Sequence, residues 1–242
     1  MVPRWFRDLA RRCRIEIPFG GVVCPELVRT IWIEADWRAR VSNKRTLVFL
    51  EHPGERDLRD IYTAGPGFDI ERFAYDSPDA LEVTREKRRD GSVVVYWQPR
   101  GPVTPFALYE HQDSWVPPAS HQQSAIFAEY RAEGKTGIVT TEIITPQTFE
   151  TAIAFERPRW PMLTSDLALV KYAFKQLEAN EGDRPEIAPD GKRLEWKIAG
   201  PRRGARYVCV AFHEHGVAEW QEKLKALTIF GRARRMVASW AR

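Results

Sequence analysis

The stretch Ile31-Trp32-Ile33-Glu34-Ala35-Asp36-Trp37-Arg38-Ala39-Arg40-Val41 sets the architecture. Ile31, Ile33, Ala35, Trp37, Ala39 and Val41 alternate with mostly polar residues, so the odd positions share one buried face of an extended chain. The pattern predicts a strand over 31–41. Outward from it, short runs rich in β-branched and aromatic residues recur at 45–51, 68–75, 81–86, 92–98, 104–110, 124–131, 137–144, 148–156, 193–199 and 205–213. Turn formers separate them, among them Gly65-Pro66-Gly67, Asp90-Gly91, Gly101-Pro102, Asp190-Gly191 and Gly200-Pro201. Many short strands with frequent turns predict an all-β fold.

An internal recurrence refines that expectation. Asp90-Gly91, a strand, Gly101-Pro102 and a return strand ending near Tyr109 resemble Asp190-Gly191, a strand, Gly200-Pro201 and a return strand ending near Val210. An offset of about one hundred residues matches one immunoglobulin-like sandwich. The expectation is therefore two tandem Ig-like β-sandwich domains, 23–117 and 118–216. They are flanked by a basic N-terminal amphipathic segment, 1–22, and a basic C-terminal helical segment, 217–242. Pro117-Pro118 would form the linker. Segment 165–180 fits a helix through Leu167, Val170, Phe174 and Leu177, and a strand through Val170, Tyr172 and Phe174; both stay open.

Hydrophobic residues at 43%, charged residues at 29% and a mean hydropathy of −0.44 exclude a disordered tail, a collagen-like chain and a helical membrane bundle. Net charge is +4, yet residues 1–14 alone carry +4 and residues 217–242 another +4, which leaves −4 on the body. Basicity belongs to the ends, and a broad nucleic-acid-binding face on the body is not expected. Three cysteines without a C-x-x-C pair, no apolar signal segment and no long apolar run lead to a reducing, cytoplasmic location and no transmembrane span.

The ends supply the binding candidates. Pro3 can start a helix with Trp5, Phe6, Leu9, Ala10 and Cys13 on one face and arginines, including Arg11 and Arg12, on the other. Toward the C-terminus Val217, Trp220, Leu224 and Leu227 form one stripe, and Met236, Val237 and Trp240 a second beside Arg234 and Arg235. Such surfaces suit internal docking, a protein partner, an anionic membrane or a nucleic-acid backbone. Trp32, off the buried face of its strand, is a further contact candidate.

Catalytic signatures are sparse. Gly134-Lys135-Thr136 resembles the end of a phosphate loop, but Glu129 stands where its first glycine is needed. His213 and His215 would point to one face of an extended strand and share a metal, with Glu110, His111 or Cys209 completing the site; no third ligand is fixed by spacing. Asp57 and Asp60, interleaved with Arg56 and Arg59, read more simply as a self-compensating solvated loop than as an acid/base pair. The expectation is a non-enzymatic interaction or scaffolding protein without a cofactor, which binds a protein partner or self-associates. The alternatives are a peripheral membrane or nucleic-acid adaptor, and a metal-dependent hydrolase built on His213 and His215.

Overall fold

The computed structural model describes residues 2–15, 21–51, 58–62, 70, 72–75, 77–89, 92–116, 124–156 and 166–227. Arg234, Arg235, Trp240, Asp57 and the expected linker at Pro117-Pro118 lie outside them.

Chain order begins with α1 (Arg4–Arg12), then β1 (Val22–Ile33), β2 (Ala39–Phe49), β3 (Leu58–Tyr62), β4 (Arg72–Tyr75), β5 (Ala80–Lys87), β6 (Val93–Pro99) and β7 (Leu108–Val116). It continues with β8 (Ala125–Arg131), β9 (Thr136–Ile144), β10 (Phe149–Glu156), α2 (Asp166–Ala179), β11 (Glu186–Ile187), β12 (Arg193–Ala199) and β13 (Arg206–His213). A third helix among the described residues, α3, covers 216–227. The chain is mostly β, as expected.

The strand predicted over 31–41 is instead the tip of a hairpin. Ile31 lies opposite Val41 and Ile33 opposite Ala39. Between them the Glu34 N–H donates to the Arg38 carbonyl (2.9 Å), the Trp37 N–H to the Glu34 carbonyl (3.0 Å) and the Arg38 N–H to Asp36 Oδ1 (3.2 Å). An aspartate accepting from the backbone two residues on is a local turn device. The alternation is symmetric about Asp36, so a straight strand and a hairpin present the same pattern.

The described residues form three sheets: β11-β12-β9-β1-β2-β7-β4, β3-β6-β5 and β10-β13-β8. One apolar cluster draws on all of them, with Leu27, Ile31, Val41, Val139, Ile143 and Leu194 from the large sheet, Val93 and Val95 from β6, and Cys209 and Ala211 from β13. The two small sheets therefore back the inner face of the large one. This differs from two separate sandwiches, because β1 pairs in parallel with β9 and carries the large sheet across both halves of the sequence. The turn recurrence does not repeat the architecture either. β6 leads from a small sheet into the large one through β7, whereas β12 leads from the large sheet into a small one through β13.

The helices cover outer faces. Phe6, Ala10 and Cys13 of the N-terminal segment pack on Val23 and Val48 at one end of the large sheet, with Ile138 of β9 alongside. Gly137 makes that approach possible: a Cβ there would lie 2.6 Å from the Pro25 carbonyl oxygen and 2.7 Å from Cys13 Cβ. Segment 166–179 is helical and sets Leu169, Val170 and Ala173 on the outer face of β10-β13-β8, where Trp220 of α3 joins them. Burial of side chains such as Phe6 and Trp220 contributes about 1.5–3 kcal/mol each.

Candidate functional site

Where the large sheet faces β3, the interior is polar. In-register residues put Arg29 (β1), Asn43 (β2), Asp113 (β7) and Tyr75 (β4) in one row across four strands, and Arg45 beside His111 in the next. β3 adds Asp60 and Tyr62 from above. Arg45 is the centre: one guanidinium nitrogen, Nη1, lies 3.3 Å from Asp60 Oδ2, 3.2 Å from Asp113 Oδ1, 3.4 Å from the Tyr62 hydroxyl and 3.3 Å from His111 Nδ1. Tyr62 donates to Asp113 Oδ1 (3.1 Å), Asn43 Nδ2 to Asp113 Oδ2 (3.1 Å) and Arg29 Nε to Asn43 Oδ1 (3.1 Å). His111 Nε2 sits 2.6 Å from the Tyr75 hydroxyl and 3.1 Å from Asp60 Oδ2.

Side-chain exposure is 0% for Asp113, 1% for His111, 18% for Arg45 and 28% for Asp60, so Asp60 is the most exposed of these four. Arg45 thus engages one ring nitrogen of His111, and Asp60 and Tyr75 the other. Burial alone would raise the Asp60 pKa, but the Arg45 charge and the His111 hydrogen bond outweigh it and hold the carboxyl below its ordinary range. Asp113 goes the other way: its deeper burial outweighs Arg45 and His111 and pushes its pKa up. Burial opposes the Arg45 charge, yet Asp60, Tyr62 and Asp113 together raise its pKa well above normal. Burial likewise raises Tyr62 and Tyr75, which remain phenols.

The cluster is a self-neutralising tie between two sheets. Two guanidiniums face two carboxylates, and both imidazole nitrogens already have partners inside the protein. Proton transfer to a substrate would need at least one of those bonds to break.

The sequence candidates are scattered. Trp5, Arg11 and Arg12 are exposed on α1, while their neighbours Phe6 and Ala10 are buried. Trp32 is half-buried on the outer face of the large sheet, with the Arg40 guanidinium 4.7 Å above its ring. Trp220 is buried and Leu224 partly buried against the same cluster, so that stripe serves architecture. His213 and His215 do not share a face: His213 is buried between Phe149 and Trp37, and His215 follows the strand in a turn with φ 66° and 82% side-chain exposure. Cys209 is buried, and Glu110 pairs with Lys44 at 3.1 Å. Among the described residues no group of three His, Cys, Asp or Glu side chains is placed to hold a metal ion.

The reading of Asp60 as part of a solvated loop is corrected. Residues 58–62 form β3, and Leu58, Asp60 and Tyr62 lie opposite Trp97, Val95 and Val93, the inward positions of β6. An Asp with apolar neighbours at i−2 and i+2 was the available signal. Its compensating partners, Arg45 and His111, are remote in sequence.

No family model and no curated protein matches the chain. Among solved structures, it is similar to a candidate protease from Parabacteroides distasonis at 8% identity and a TM-score of 0.48, covering 79% of this chain and 40% of that one. It is also similar to yeast LTA4 hydrolase in complex with bestatin at 9% identity and a TM-score of 0.35, covering 86% of this chain and 33% of that one. This chain thus spans well under half the length of either structure, and neither likeness is close enough to bear on function.

Proposed function

We propose that the chain is a non-enzymatic interaction protein that self-associates through the outer face of β3-β6-β5. The observation that carries this is three half-exposed apolar side chains on the two strands that flank β6. Ile61, Leu81 and Val83 are each about half exposed. α1 lies on the large sheet and α2 and α3 on β10-β13-β8, so two of the three outer faces already have helices against them.

The pattern on that face suits a second copy. Arg59 on β3 and Glu86 on β5 are exposed on opposite sides of β6, with the exposed Ile61 and the half-buried Tyr96 beside them and Val94 fully buried in the middle. A two-fold axis along β6 would set β3 of one copy over β5 of the other, bringing Arg59 within reach of Glu86 twice. Edge-to-edge addition is less favoured, because a bulge between Glu82 and Thr84 and the charges Arg85, Glu86 and Lys87 guard the β5 edge. Within this reading the finer architecture is a pair of sandwich-like lobes fused through the β1–β9 pairing.

Sedimentation equilibrium tests it. The wild type should dimerise, Ile61→Lys with Leu81→Lys should be monomeric, and Arg59→Glu should weaken association while Arg59→Glu with Glu86→Arg restores it. A wild type that stays monomeric at high concentration refutes the proposal.

One observation favours a second reading, a peripheral adaptor. Trp5 is 44% exposed on a helix whose Arg4, Arg7, Arg11 and Arg12 are also exposed. Co-sedimentation with anionic vesicles and with DNA across a salt series, using Trp5→Ala as control, tests that reading.

A further inference from the structure

A cavity of about 270 Å³ opens at the outer edge of β10, on the side of the molecule where the large sheet meets β10-β13-β8. Phe155, Tyr172, Trp196 and Tyr207 give it aromatic walls, and Glu156 and Asp183 give it carboxylates. Its volume is just below the ~300–1,000 Å³ of sites for drug-sized ligands, so it suits a small head group.

Its acidic mouth is held in place. The Ala154 N–H donates to the Asp183 carbonyl (2.8 Å) and the Asp183 N–H to the Ala154 carbonyl (2.9 Å), which pins the segment after α2 to the edge of β10. Gly182, at φ 96°, permits this: a Cβ there would lie 2.7 Å from the Ala154 oxygen. Across the cavity the Tyr207 hydroxyl accepts from the Arg202 N–H (2.9 Å), which fixes that ring, and the Phe155 and Tyr172 rings meet at 4.8 Å.

Charge then selects the ligand. Glu156 is ion-paired with Arg202, whereas no ion pair engages the Asp183 carboxylate among the described residues. One carboxylate without an ion pair beside several aromatic rings attracts a positive group of low hydration. An inorganic anion would be repelled. A hard divalent cation needs six or more oxygens, and among the described residues no group of three His, Cys, Asp or Glu side chains is placed to hold one. We infer that this cleft binds an organic ammonium ion, either a free quaternary amine or the alkylated side chain of a lysine.

The experiment compares choline with its uncharged carbon analogue, 3,3-dimethylbutan-1-ol, by calorimetric titration of the full chain. Choline should bind about tenfold more tightly than the analogue, and Asp183→Asn should weaken choline about fivefold to tenfold. Asp183 is exposed, so the variant should melt like the wild type, and Asp183→Glu should keep most of the affinity. A trimethyl-lysine peptide titrated alongside identifies the source: tighter binding of the peptide means a protein side chain, and tighter binding of choline a free amine. Equal binding of the uncharged analogue, unchanged affinity in Asp183→Asn, or no heat with either ammonium compound overturns the inference. A dimer failure in the Ile61 and Leu81 variants leaves this site untouched, because the two surfaces share no residue.

Discussion

The two ends of the interior solve the same packing problem with opposite chemistry. Under β10-β13-β8 the large sheet meets Ala152, Ala154, Cys209 and Ala211 with Leu194, Trp196 and Ile198, all apolar and almost fully buried. Under β3 it meets Asp60 and Tyr62 with Arg29, Asn43, Arg45, His111 and Asp113. Apolar packing tolerates small slips, since one methyl group replaces another at little cost. The polar end does not, because a shift of one residue would strand a charge in low dielectric. Paired polar residues there fix which strand of the small sheet lies over which strand of the large one.

Several measurements can break or sharpen that contrast. Arg45→Met leaves Asp60 and Asp113 without the cation between them, and should cost about 3–5 kcal/mol in denaturant unfolding. Replacing Arg45, Asp60 and Asp113 together by Met, Leu and Leu should recover more than half of that loss. If it does not, the polar residues contribute more than a sheet tie. Leu194→Ala, at a position with 0% exposure, should cost about 3 kcal/mol through the cavity it opens. A larger loss there than for Arg45→Met would reverse the comparison.

Next in size is Gly137→Ala, which should cost about 1–3 kcal/mol by pushing β9 from Pro25 and lifting α1; faster exchange of the amides in 4–12 would report it. The smallest effect is in pH dependence. Asp60, with its pKa lowered from 3.8, contributes stability that is present above 3.8 and lost as pH falls through its folded value. Asp113, with its pKa raised from 3.8, destabilises the neutral-pH fold and relieves that cost as pH falls toward 3.8. Denaturation midpoints across the acid range should therefore lose their low-pH decline in Asp60→Asn and their rise toward 3.8 in Asp113→Asn. Leu194→Ala should keep the wild-type profile.

Much of the strand content is legible from alternation, because a half-buried strand imposes a period of two on its own residues. β6, β8, β9, β10, β12 and β13 begin and end within a residue or so of the expected runs. The hairpin at Asp36 is hidden by its own symmetry, and the tie by its dispersion. Arg45, Asp60 and His111 come from three strands, and each looks like a surface residue until the other two are present. The apolar stripe at Trp220 is legible as amphipathic, whereas its occupant, the outer face of β13, depends on a register no local pattern specifies.

The parallel pairing of β1 with β9 also bears on how the chain is made. Cys24 waits for Thr136, more than a hundred residues later, before that side of β1 is hydrogen-bonded. During synthesis a long strand edge is left open until the second half emerges, and so distant a closure slows folding. The nascent chain is thus most exposed to wrong pairing midway through translation, and a ribosome-associated chaperone acting on that interval should raise its yield more than one acting on the finished polypeptide.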